Sequence, residues 1–146
     1  MSKKKIPWQI HFIANGQICQ CCGKRNGNIF LDGICNAHTH GLEEKYHHLE
    51  FQVVLHFETD LIAYTLNTLG ERVKNGERFT DGQEIADLVS CRVMLKEVHE
   101  EGERYLRVIF PDPRFKMPDE KGCEYPYSMQ LHKLSDLKKN HSDYHS

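Results

Sequence analysis

The sequence predicts an α+β domain in which an antiparallel sheet packs against one main helix, with an N-terminal zinc-ribbon-like β unit added. Three observations carry that prediction. Residues 49–57 are almost continuously apolar (Phe51, Val53, Val54, Leu55 and Phe57), the pattern of a strand buried on both faces. Ile62, Leu66, Leu69 and Val73 then repeat at helical spacing, the stripe of a helix with one buried side. Ahead of both, Cys19, Cys22-Gly23, Cys35 and His38 read C-x2-C-G-x11-C-x2-H, two pairs of metal-ligand side chains in short loops.

Taken in chain order, Trp8–Ile13 alternates apolar and polar residues and reads as a strand, and Ala14-Asn15-Gly16 as the turn after it. Gln17–Cys19 would return into the first knuckle. Arg25–Asn28 is a second turn, Ile29–Leu31 a short strand, and Asp32-Gly33 the turn that leads to Cys35. Leu49–Phe57 is the strongest strand. Thr59 or Asp60 is placed to cap the following helix, which runs to about Asn75 and ends at Gly76. A second β unit comes after the loop at Thr80-Asp81-Gly82. In it Cys91, Val93 and Leu95 alternate, Glu100-Glu101-Gly102 turns, and Leu106, Val108 and Phe110 alternate back. Prolines 111, 113 and 118 mark an irregular stretch, Tyr125–Leu131 reads as a last strand, and the polar residues from Ser135 as a loose tail. The expected organisation is one domain over residues 1–134, with the ribbon in 1–40 and the sheet and helix in 41–134, and a flexible tail over 135–146.

With 146 residues, 39% of them hydrophobic and 27% charged, the chain has the composition of an ordinary soluble domain with a real core. No apolar run approaches the ~18 residues of a membrane span, and Met1–Phe12 does not read as a secretory signal. Three of the six cysteines crowd into Cys19, Cys21 and Cys22, which favours reduced, metal-binding thiols in the cytoplasm over disulfides. Zinc is therefore the expected cofactor, held by Cys19, Cys22, Cys35 and His38, with Cys21 and His40 as alternates. Four protein ligands make such a site structural, because catalytic zinc keeps one position open. The net charge of -2 hides five basic and no acidic residues in positions 1–31. Five charges are a thin footprint for phosphate, so a nucleic-acid partner is not expected.

Residues 37–51, A-H-T-H-G-L-E-E-K-Y-H-H-L-E-F, hold four of the ten histidines. In an extended segment His38 and His40 project to the same side. His47 or His48 with Glu50 would add a nitrogen and oxygen set suited to a hydrolytic metal. The A-H-T-H-G stretch has the look of an amidohydrolase H-x-H, but that barrel needs ~250 residues.

Thr39, Gly41-Leu42, His48-Leu49-Glu50-Phe51, Leu66-Asn67, Gly76, Phe79 and Gly82 follow one another in an order that resembles the bacterial domain of unknown function family 4262. The resemblance covers residues 38–82. Leu49 stands where that family has proline, and His38 where an aromatic residue usually precedes the threonine. The family brings no established activity, so the resemblance implies a fold class and a bacterial source. His48 and Glu50 are the candidate catalytic pair, with Asn67 as a third polar group; the competing reading has His48 and Glu50 holding loop backbone. The function expected is a binding or interaction module with a structural zinc, its partner a protein or a small molecule. The alternative is a small metal-dependent hydrolase built on segment 38–50.

Overall fold

The computed structural model describes residues 7–13, 30–100 and 102–138. Within them six strands form one sheet: β1 (Gln9–Ile13), β2 (Ile34–His40), β3 (Glu50–Leu55), β4 (Glu84–Ile85), β5 (Val93–Glu100) and β6 (Glu103–Ile109), in the spatial order β1-β2-β3-β6-β5-β4. Two helices belong to the fold, a short α1 (Leu42–Tyr46) and the main α2 (Thr59–Lys74). The architecture is α+β.

The sheet is mixed, which corrects the purely antiparallel expectation. β3 and β6 run parallel, with Phe51 opposite Leu106, while every other pair is antiparallel. The physical reason lies in which arm of the β5–β6 hairpin takes the centre. The second half of β6, Leu106–Ile109, is buried without interruption, whereas β5 carries exposed Lys96 and His99. β6 therefore sits beside β3, and the hairpin turn at Gly102 (φ 82°) leaves β5 on the outside.

α2 covers one face of the sheet with Ile62, Leu66, Leu69 and Val73, the stripe read from the sequence, together with Thr65 and Gly70. Glu58, not Thr59 or Asp60, occupies its N-cap position, and Asp60 adds a negative charge to its first turn. Beneath the helix lie Cys35, Ala37, Phe51, Val53, Leu55, Leu95, Leu106 and Val108, all 0–1% exposed. Trp8 closes the end of this core. Its indole Nε1–H donates to Asn67 Oδ1 (3.0 Å) and its ring lies against Gly70.

No separate ribbon unit is formed by the described part of residues 1–40. β1 and β2 are the edge strand and its neighbour in the main sheet, with Gln9 opposite His40 and Ile13 opposite Asn36. β2 is claimed by the body because Cys35, Ala37 and Thr39 are all buried in its core. The predicted return strand Gln17–Cys19 and the turn at Arg25–Asn28 fall outside the described residues.

The expected last strand, Tyr125–Leu131, is a loop with a single 3-10 turn at Tyr127–Met129. Gln130 explains the difference. Its side-chain amide bonds both backbone groups of Phe110, accepting from the N–H at 2.7 Å and donating to the carbonyl at 2.6 Å, so a side chain takes the place of a strand's ladder. Beyond Ser135 the chain stays packed as far as Lys138. Leu137 is buried, its carbonyl accepts from Leu31 N–H (2.9 Å), and Phe30 bridges to Lys138. Among the described residues no helix is long and apolar enough to cross a membrane.

A Cβ on Gly70 would meet the Trp8 ring at 2.6 Å. Gly70→Ala is expected to lower stability by about 1–3 kcal/mol through overpacking, measured by urea unfolding. A companion Trp8→Phe variant should recover part of the loss.

Candidate functional site

The sheet has a second face, and α2 does not cover it. The C-terminal segment closes part of that face through Arg107, a fully buried cation. Arg107 donates to Glu100 Oε1 (2.7 Å), to the carbonyls of Gln130 (2.7 Å) and His132 (2.5 Å), and to Gln52 Oε1 (2.7 Å). A buried charge is tolerable only with such a full set of partners. The part of the face left open holds the histidines.

Strand alternation and register assemble them. Asn36, His38 and His40 share one side of β2, and His11 of β1 stands directly opposite His38. The His11 ring lies 5.2 Å from that of His38 and 5.3 Å from that of His40, centroid to centroid, and Tyr105 of β6 lies 5.2 Å from His38. A hydrogen-bond chain reaches His38 from beneath. Arg107 holds Gln52, Gln52 Nε2 donates to Asn36 Oδ1 (3.2 Å), and the same oxygen lies 3.3 Å from His38 Nδ1. An amide oxygen can only accept, so it fixes the proton on Nδ1 and leaves the Nε2 lone pair available. Burial, with His11 and His40 adding to it, pushes the His38 pKa down to about 4; burial also lowers that of His11. Both shifts favour the neutral imidazole at His38 and His11.

The hollow in front of it has a volume of about 390 Å³ and is lined by His38, His40, Glu43, Glu44, Glu50, Glu103 and Tyr105, together with Thr39 and Gly41. No lysine or arginine lines it.

Of the catalytic candidates, Glu50 lines the hollow and His48 does not. Glu50 accepts four hydrogen bonds: Thr39 Oγ1–H (2.8 Å) and Leu42 N–H (3.1 Å) on one oxygen, Gly41 N–H (3.0 Å) and Glu43 N–H (3.1 Å) on the other. His48 Nδ1–H donates to Leu49 O (2.8 Å) while its Nε2 accepts from Phe79 N–H (3.0 Å), and the ring stacks on Phe51. Burial lowers its pKa in keeping with a neutral ring. Both side chains hold backbone. His47, in the left-handed conformation at the end of α1, is exposed. His48 sits with Phe51 on the helix side of the sheet, so it does not join His38 and His40.

The predicted zinc ligands are also divided. Cys35 is fully buried with its Sγ–H directed at Leu55 O (3.5 Å), its pKa raised to about 12 by burial. It faces α2, whereas His38 faces the hollow, because positions three apart in a strand point to opposite sides. Cys19, Cys21 and Cys22 lie outside the described residues. Among the described residues no three His, Cys, Asp or Glu side chains already converge as a metal-ligand set. His11 is the residue that the sequence reading missed. The alternation in Trp8–Ile13 puts it opposite the apolar side, but only the β1–β2 register brings it to His38.

A mixed six-stranded sheet with one covered face and one histidine-bearing face defines an α+β domain with a polar site on its open side. Residues 26–110 match the model of a domain of unknown function, DUF4262, and the chain belongs to that family. No curated protein and no solved structure gives a significant match to it. The motif residues have legible jobs: Thr39, Gly41, Leu42 and Glu50 make one hydrogen-bonded turn, His48 braces Phe79, and Asn67 holds Trp8.

Two outcomes test this geometry. Glu50→Ala leaves four donors without their acceptor and is expected to cost about 2–5 kcal/mol in urea unfolding. His38 titrates near 4 when folded and near 6.5 when unfolded, so the unfolded chain binds the extra proton first as pH falls. His11, His40, Glu50 and Tyr105 face it throughout. Stability in chelator-treated buffer should drop by on the order of 2–3 kcal/mol between about pH 6.5 and 4 and then level. His38→Gln should remove most of that drop relative to wild type.

Proposed function

We propose that this domain is a binding module, and that its ligand is a cation or a cationic small molecule seated in the histidine-lined hollow. One observation carries the reading: every ionisable side chain lining the hollow is an acceptor or an acid, with no lysine or arginine among them. His38 offers a lone pair at Nε2, and Glu43, Glu44 and Glu103 give the rim a negative potential. Such a surface repels phosphate, which argues against nucleic acid as the partner.

The hydrolase alternative draws no support from His48 and Glu50, whose polar atoms are all engaged with the protein's own backbone or with Thr39. The unpaired thiols of Cys35, Cys91 and Cys123 support a reducing, cytoplasmic setting.

A short diamine titrated at low salt should shift the NMR signals of His38 and Tyr105, with inorganic phosphate leaving them unmoved. Glu44→Gln and Glu103→Gln should each weaken diamine binding by roughly 0.2–1 kcal/mol, the scale of an exposed ion pair. Shifts that map elsewhere, or equal binding of phosphate, would sink the reading.

A further inference from the structure

We infer that the histidine cluster beside the hollow is a site for a divalent transition metal, zinc first, held by His38 and His40 of the lining together with the adjacent His11, with the fourth position open. The inference rests on the reading of the hollow as the seat of a cation and names that cation's class.

Spacing is the first support. Imidazoles sharing one tetrahedral zinc at Zn–N distances of ~2.0–2.1 Å have ring centroids ~5 Å apart. His11 stands 5.2 Å from His38 and 5.3 Å from His40, so the central ring already keeps that distance from both others. What is missing is direction. The rings are tilted by 49° and 32°, and their nitrogens do not yet meet at one point. Bringing them together takes side-chain rotation of His11, which is half-buried, and His40, which is exposed.

The second support is the chain beneath His38. A ligating histidine ordinarily has its other ring nitrogen bonded to an acceptor, which sets the tautomer and aims the ring. Asn36 Oδ1 stands in that place for His38, and Gln52 and the buried Arg107 hold Asn36 in turn. Asn36 is thus a positioning residue. It touches no ligand and decides which nitrogen of His38 faces the hollow.

The third is ligand chemistry. Three imidazole nitrogens suit zinc, copper or nickel, and they do not suit the oxygen-seeking magnesium or calcium. Three protein ligands also leave a coordination position open to water or to a donor atom on a small molecule, unlike the closed four-ligand site that the cysteine spacing predicts. Glu44 and Glu103 line the space in front of that position.

The test uses the full chain, stripped with a chelator and titrated with zinc by calorimetry and with Co2+ by visible absorption. The inference expects one metal per chain in wild type, a loss of at least tenfold in affinity in His11→Ala/His40→Ala and in His38→Ala, and circular dichroism unchanged without metal. Asn36→Leu should weaken binding by about 10–100-fold, the usual effect of losing an outer-shell partner. Cys19→Ser/Cys22→Ser should keep the metal at this site. Absence of stoichiometric binding would overturn the inference, as would wild-type affinity in the His11→Ala/His40→Ala protein. If zinc fails while a diamine still shifts His38 and Tyr105, the metal assignment alone falls; if both fail, so does the reading of the hollow.

Discussion

The Glu50 carboxylate receives a hydroxyl and three backbone N–H groups from residues 39–43, and the rest of the molecule is arranged around that point. It lies at the first residue of β3, yet its partners are the end of β2 and the first turn of α1. A carboxylate set against the N–H groups that open a helix satisfies donors that would otherwise be buried unpaired. Thr39 completes the joint by accepting Phe51 N–H at 2.9 Å, so one threonine hydroxyl and one carboxylate fix the reversal between two adjacent strands. Gly41 takes φ 124° in the middle of it, with the backbone of Pro7 and Trp8 3.1 Å from where a Cβ would stand. A side chain there would push β1 off the sheet.

That joint has a consequence for the open face. With the β2–β3 register set, His38 lies opposite Gln52, and Gln52 lies opposite Arg107. The polar row from β6 to β2 therefore exists because two strands are locked in phase by the joint at Glu50, which stands on the same face as Gln52. A slip of one residue would send His38 into the core and Ala37 into the hollow. Arg107 steadies the far end by joining β6 to the C-terminal segment, where Glu100 also accepts Leu134 N–H at 3.0 Å. The scaffold and the hollow share residues: Thr39, Gly41, Glu43 and Glu50 build the turn and also line the hollow.

Two sequence signals read differently once their residues are placed on strands. Cysteine and histidine at metal-ligand spacing are informative when the intervening chain is a loop. Cys35–His38 is instead a strand, and alternation sends the two side chains to opposite faces. The polar candidates His48 and Glu50 were legible as unusual groups at a strand start. Their polar environment could serve chemistry or backbone, and the positions of Phe79, Gly41 and Glu43 settle it by taking up their hydrogen-bonding atoms.

Periodicity and turn chemistry alone determined the main helix over 59–74, the strands around Phe51, Leu95 and Leu106, the hairpin at Gly102 and the residues that face the core, because burial acts on each segment through its own spacing. Family membership was also legible, since the motif residues make local turns and braces whose order along the chain is their signature. The tertiary structure decided the mixed sheet order, the absorption of β1 and β2 into it, and the meeting of His11 with His38 and His40. Those depend on which distant segments pair and in what register, and pairing is settled by the total apolar area each arrangement buries, which no single segment encodes.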